Sequence, residues 1–155
     1  MKLWIDADAT PRDVKELVYR LAERLKIPTV LVANSNLTVP LSQFLSTVRV
    51  GKGLDVADQY IAREAGKGDV AVTADVPLAA ALVKKGITCI DVRGELYTEE
   101  NAAERLAMRD LMTELRESGV QTGGPRPWDA KDKVRFANAL DRVVTQALKA
   151  TPLPK

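Results

Sequence analysis

The chain has 155 residues, 46% hydrophobic and 28% charged, with a formal net charge of +2; these values describe one globular domain with a real core and no global basic field, although a local basic rim could still meet a polyanion. Histidine is absent, which removes Ser-His-Asp, Cys-His and histidine-base mechanisms and any His-ligated zinc or iron site. The single cysteine, Cys89 within Ile87-Thr88-Cys89-Ile90, reads as a small buried hydrophobe and rules out an intramolecular disulfide.

In chain order, Leu3-Trp4-Ile5 reads as a first strand. Thr10-Pro11-Arg12-Asp13 reads as a helix start, with Thr10 as N-cap and Pro11 at the first position. Val14, Leu17, Val18, Leu21, Ala22 and Leu25 supply that helix's apolar stripe. After Pro28 come a second strand, Thr29-Val30-Leu31-Val32-Ala33, an Asn- and Ser-rich loop over 34–43, and a short third strand, Thr47-Val48-Arg49-Val50. A helix is predicted from about Leu54 to Ala65, a strand over Val70-Ala71-Val72-Thr73, a helix from about Pro77 to Lys85 with Gly86 at C′, and a fifth strand from Ile87 to Val92. Two longer helices follow, over Glu99–Ser118 and from Lys131 to about Leu148, before a frayed tail over 151–155. The alternation predicts a three-layer α/β/α domain over 1–150, with a mostly parallel sheet of about five strands. The two C-terminal helices would pad the sheet or join a homodimer contact. With no basic, apolar leader pattern and no apolar run near the ~20 residues of a membrane span, a cytoplasmic protein without a membrane partner is expected.

Acidic residues stand where this fold would gather them. Asp6 and Asp8 leave the first strand and share a side if the backbone stays extended there. Asp55 and Asp58 lie one helical turn apart, and Asp75 follows the fourth strand, expected beside the first. Four have a plainer reading, Asp8 or Asp75 as a helix cap and Asp55 and Asp58 as a solvated face; Asp6 stands too far from the helix start to cap it. Converging carboxylates repel and are costly to desolvate, so a hard divalent ion, Mg²⁺ or Mn²⁺, is their natural compensator.

Asp6-Ala7-Asp8-Ala9-Thr10-Pro11, Gly53-Leu54-Asp55-Val56-Ala57-Asp58, Thr73-Ala74-Asp75-Val76-Pro77, Asp91-Val92-Arg93-Gly94-Glu95 and Gln121-Thr122-Gly123-Gly124-Pro125 together resemble the YaiI/YqxD family of bacterial proteins. Met108-Arg109-Asp110-Leu111 and Phe136-Ala137-Asn138-Ala139-Leu140-Asp141-Arg142 extend the likeness over nearly the whole chain. The family looks like a branch of the PIN-like nuclease superfamily. The resemblance implies a PIN-like fold and metal-dependent hydrolysis of RNA. Asp6, Asp55, Asp58 and Asp75 match the superfamily's acidic, metal-holding positions, with Asp8 as an extra neighbour. Catalytic roles would then fall to Asp6, Asp8, Asp58 and Asp75, with Asp8 or Asp58 orienting the water. Thr10 departs from the family, which usually has Cys there, so a thiol role at that position is absent here.

Candidate substrate contacts carry alternatives. Asn34 touches substrate or forms the turn after the second strand. Arg93 clamps a phosphate or pairs with Asp91 or Glu95. Arg126 joins Arg12, Lys52, Lys67 and Lys131 in a basic rim or is solvated surface. Trp128 stacks on a base or anchors the interhelical loop. Two rival functions remain. One is a haloacid-dehalogenase-type phosphatase, with Asp6 as nucleophile, Asp8 as acid/base, and Thr73 and Lys84 or Lys85 in support. The other is a non-catalytic module binding RNA or protein.

Overall fold

The computed structural model describes residues 1–53, 55–121, 123 and 126–150. Its strands are β1 (Leu3–Asp6), β2 (Thr29–Ala33), β3 (Leu45–Arg49), β4 (Val70–Val72), β5 (Thr88–Ile90) and β6 (Leu96–Tyr97), and its helices α1 (Arg12–Leu25), α2 (Val56–Glu64), α3 (Val76–Lys84), α4 (Glu99–Glu117) and α5 (Ala130–Ala150). The sheet order is β3-β2-β1-β4-β5-β6. The first five strands pair in parallel, with Ile5 opposite Leu31 on one side and Val72 on the other.

Strand periodicity divides the core into two layers. Leu3, Ile5, Leu31, Val70, Val72 and Ile90 face one side, where Val14, Val18 and Leu21 of α1 and Phe136, Leu140 and Val144 of α5 cover them. Trp4, Val32, Ala71 and Cys89 face the other, against Ile61 of α2 and Leu78, Ala79 and Leu82 of α3. The predicted α/β/α architecture is therefore present. Cys89 is fully buried, and burial pushes its thiol up to about 12. Among the described residues no helix is long and apolar enough to cross a membrane.

Four local expectations change. First, β6 was not anticipated: Cys89 pairs antiparallel with Tyr97 across it. Two residues are too few for alternation to be visible in the sequence. The strand forms because the Asp91 carboxylate accepts from the backbone N–H groups of Arg93 and Glu95, both at 2.9 Å, and reverses the chain. Second, Thr10 does not cap α1. The helix begins at Arg12 with Pro11 as N-cap, and Thr10 Oγ1 instead donates to the Asp6 carbonyl at 2.7 Å across a 3-10 turn, Ala7–Ala9. Third, Asp55 precedes α2 rather than lying within it, with φ of +63°; Leu54, the expected start, lies outside the described residues. Fourth, of the two C-terminal helices only α5 pads the sheet. In α4 only Ala102 is buried, and that helix packs on α3. The predicted tail over 151–155 lies outside the described residues.

Candidate functional site

Chain order fixes where a site belongs. From β1 the chain winds outward through β2 and β3 on one side, then returns to build β4 and β5 on the other. In such sheets the crevice lies at the carboxyl ends of the two strands where the order reverses, here β1 and β4. Asp6 is the last residue of β1, and Asp75 caps α3 just beyond β4. The start of α2, which packs on β1 and α3, brings Asp55 and Asp58 to the same end.

Three of the expected acids converge. Asp55, Asp58 and Asp75 each offer a carboxylate oxygen within 4.8 Å of the other two. Asp75 also accepts from Leu78 N at 2.9 Å, so the plain capping reading and the cluster reading hold together. Asp55 makes no capping bond. Burial, then a side-chain hydrogen bond with Asp75 and the charges of Asp75, Asp6 and Asp55, push Asp58 up to about 7. Near neutral pH the Asp58 carboxyl therefore retains part of its proton.

Asp6 sits behind the triad, only 5% exposed. Burial raises its pKa, a hydrogen bond from Thr73 opposes that, and the charges of Asp75 and Asp8 add to it. Thr73 joins the two strand ends: its Oγ1 donates to Asp6 Oδ2 at 3.0 Å and accepts from Asp75 N at 3.0 Å. Thr73→Val keeps the shape but strands both partners. We expect it to cost about 1–3 kcal/mol, read as a lower urea midpoint at unchanged slope.

The 3-10 turn breaks the extended backbone on which Asp8 was expected to share a side with Asp6, although Asp8 stays near enough for its charge to act on Asp6. It is exposed, and its Oδ2 accepts from Asn34 N at 2.7 Å, tying the β1 and β2 exit loops together. Asn34 thus enters the site region through its backbone, consistent with its turn-forming reading.

Arg93 and Arg126 come together outside the triad, on a residue that the sequence did not single out. Asp132, fully buried at the start of α5, accepts from Arg93 Nη1 at 2.8 Å and from both Nη1 and Nη2 of Arg126 at 2.7 Å. The Arg126 hydrogen bonds hold its carboxyl well below the usual carboxylate range. The expected partners of Arg93 are instead taken by Arg105, which reaches Asp91 at 3.1 Å and Glu95 at 3.4 Å. The indole of Trp128 donates to the Val92 carbonyl at 2.8 Å, so it anchors its loop. Thr122, Gly124 and Pro125 of that loop lie outside the described residues. Arg109, also passed over, lines a cavity of about 410 Å³ with Asp55, Asp58 and Asp75. Only its place in a recognisable motif, Met108-Arg109-Asp110-Leu111, signalled it.

The donor set suits a hard cation. Oxygens bound to one Mg²⁺ at ~2.1 Å stand at most ~4.2 Å apart, so a separation within 4.8 Å closes by small side-chain rotations. Carboxylate ligands match Mg²⁺ or Mn²⁺ and not a thiolate-seeking ion.

Comparison with known proteins agrees with the resemblance. The family model described as "Uncharacterized BCR, YaiI/YqxD family" matches residues 4–146. A UPF0178 protein of Myxococcus xanthus (strain DK1622) is 54% identical over 98% of this chain and 99% of its own length. Another, from Geobacter metallireducens, is 54% identical over 96% of both chains. UPF0178 protein DP1304 of Desulfotalea psychrophila is 54% identical over 94% of this chain and 99% of its own. No solved structure matches the chain significantly.

Proposed function

We propose that this chain, which belongs to the YaiI/YqxD family, is a metal-dependent nuclease that hydrolyses RNA phosphodiester bonds, with Mg²⁺ or Mn²⁺ held by Asp55, Asp58 and Asp75. The observation that carries the reading is the approach of three carboxylate oxygens within 4.8 Å at the sheet's switch point. When bound, a divalent ion there supplies charge neutralisation for phosphoryl oxygens and activation of a water. The chain's own groups supply the rest. Asp75 is fixed by its bond to Leu78 N and Asp55 is left free of the helix end. Asp58, pushed up to about 7 by burial and its acidic neighbours while no cation is bound, is the carboxylate that a dication would relieve most. Asp6 adds its charge from below, and Arg109 stands on the cavity wall where a phosphate would lie.

The phosphatase reading fares worse on the same geometry. A covalent nucleophile must meet its substrate, yet Asp6 is covered and bonded to Thr73. Lys85, one of the two lysines that scheme called for, has its Nζ donating to the Ala62 and Ala65 carbonyls at 2.6 and 2.8 Å, closing the end of α2.

Titration calorimetry with Mn²⁺, in buffers of different ionisation enthalpy, tests the reading alongside a single-stranded RNA cleavage assay. Metal must displace the proton that Asp58 carries below about 7. We expect Mn²⁺ to bind more tightly as pH rises through that value, with a proton released per ion below it and almost none above pH 8. Absence of Mn²⁺ binding together with intact RNA affinity would establish the non-catalytic module instead.

A further inference from the structure

A second concavity lies next to the acidic one and carries the opposite charge. It has a volume of about 840 Å³, opens between the turn after β5 and helix α5, and reaches Ala74, the neighbour of Asp75. Arg93, Arg105, Arg126, Arg135 and Arg142 line it, with the Asn138 amide between the last two. Four carboxylates oppose these five guanidiniums, one of them Asp129, 3.5 Å from Arg126. Asp91 and Glu95 are taken by Arg105, and Asp132, beneath the floor, is divided among Arg93, Arg126 and, at 3.8 Å, Arg135. Arg142 has no ion-pair partner among the described residues. Arg135, Asn138 and Arg142 follow one another at helical spacing along one face of α5. The cleft therefore keeps a net positive charge in a concave setting, and the planar fork of a guanidinium matches phosphate oxygens.

Its lining also excludes some ligands. Among the described residues no aromatic side chain lines it. Tyr97 is covered by the Arg105 guanidinium, 4.4 Å above its ring, and Trp128 is committed to Val92. Bases would find no aromatic ring in this lining, so recognition falls mainly on the charged backbone and should depend little on sequence.

We propose that this cleft holds a backbone phosphate of a nucleic-acid strand whose neighbouring phosphodiester lies at Asp55, Asp58 and Asp75. Arg135 and Arg142 contact the phosphate, while Asp132 holds Arg93 and Arg126 in the wall beside them. The identity of the strand rests on the nuclease reading; the anion site rests on its own charge and shape.

Fluorescence anisotropy in EDTA, with labelled oligo-U and oligo-A single-stranded RNA over a salt titration, keeps binding separate from cleavage and from metal. For Arg135→Gln/Arg142→Gln, two exposed positions whose melting curve checks folding, we expect affinity to fall by about tenfold at 0.1 M salt, equally for both oligonucleotides. The slope of log K against log salt should flatten by about 1.4, or ~0.7 for each cation–phosphate contact removed. The Arg→Lys pair should recover the slope and only part of the affinity. Unchanged affinity and slope would overturn the site, as would no binding of RNA by the native chain. A loss confined to one oligonucleotide would overturn the backbone assignment. Because no metal is present, failure of the nuclease reading appears only in the Mn²⁺ experiments and leaves this result standing.

Discussion

Asp58→Asn should abolish Mn²⁺-dependent RNA cleavage and, in the metal-free protein at pH 8, raise the melting temperature. The two effects share one cause. Asp58 titrates near 3.8 in the unfolded chain and at about 7 when folded, chiefly through burial and secondarily through Asp75. The folded state therefore binds the extra proton between those values. Above about 7 the native protein must carry an ionised Asp58 beside Asp75, Asp6 and Asp55, and stability is lost. As pH falls from 8 toward 5 the proton returns and stability from this group is regained. Asparagine keeps the shape and a hydrogen-bonding amide for Asp75 while removing the charge. It should lift the pH 8 melting temperature toward the pH 5.5 value and make the profile between them shallower, the remaining slope coming from Asp6, which burial also raises. Asp58 is partly exposed and solvent screens part of the repulsion, so a gain of a few degrees is expected, at about 2–4 °C per kcal/mol. Melting in EDTA at both pH values, beside an RNA gel assay, decides the matter. A variant that melts lower at pH 8 and still cuts RNA would end the account of Asp58 as a strained ligand.

How much of this the sequence could convey depends on the range of each interaction. The parallel core was legible because Thr29-Val30-Leu31-Val32-Ala33 and Val70-Ala71-Val72 are uninterrupted apolar runs, separated by stripes such as Val14, Val18 and Leu21. Topology rules then placed Asp6 and Asp75 on neighbouring strand ends, and the strands pair accordingly. The depth of each acid was not legible. It depends on the 3-10 turn after Asp6, closed by Thr10, which buries one carboxylate and turns the next toward Asn34. The arginine cleft was visible only in fragments. Arg93 and Arg126 were singled out, but their meeting point, Asp132, lies 39 and 6 residues away from them along the chain and looks like any acid in the first turn of a helix. An isolated sequence gives no sign that an aspartate will be buried by the arginines it binds.

The cleft also depends on one glycine, and Gly94→Ala should be among the most damaging substitutions in the chain. Gly94 has φ of +87° in the turn that Asp91 closes, and a Cβ there would meet Arg135 O at 2.6 Å, Arg135 C at 2.7 Å and Phe136 N at 2.9 Å. Those atoms belong to the backbone of α5 and cannot rotate aside. The helix must move, yet Phe136, Leu140 and Val144 are sealed in the core on its inner face. Adding about 1–2 kcal/mol for the left-handed backbone to about 1–3 kcal/mol for overpacking, a loss of about 2–5 kcal/mol is expected. Gly119→Ala separates the two contributions, since Gly119 has φ of +90° and nothing within 4 Å of the added carbon. That variant should carry the conformational cost alone and melt well above Gly94→Ala. Displacing α5 also carries Arg135 and Arg142 away from the turn, so Gly94→Ala, where still folded, should bind RNA more weakly in EDTA while Gly119→Ala binds normally. Equal urea midpoints for the two variants would mean that α5 does not press on this turn, and the wall of the arginine cleft would have to be drawn elsewhere.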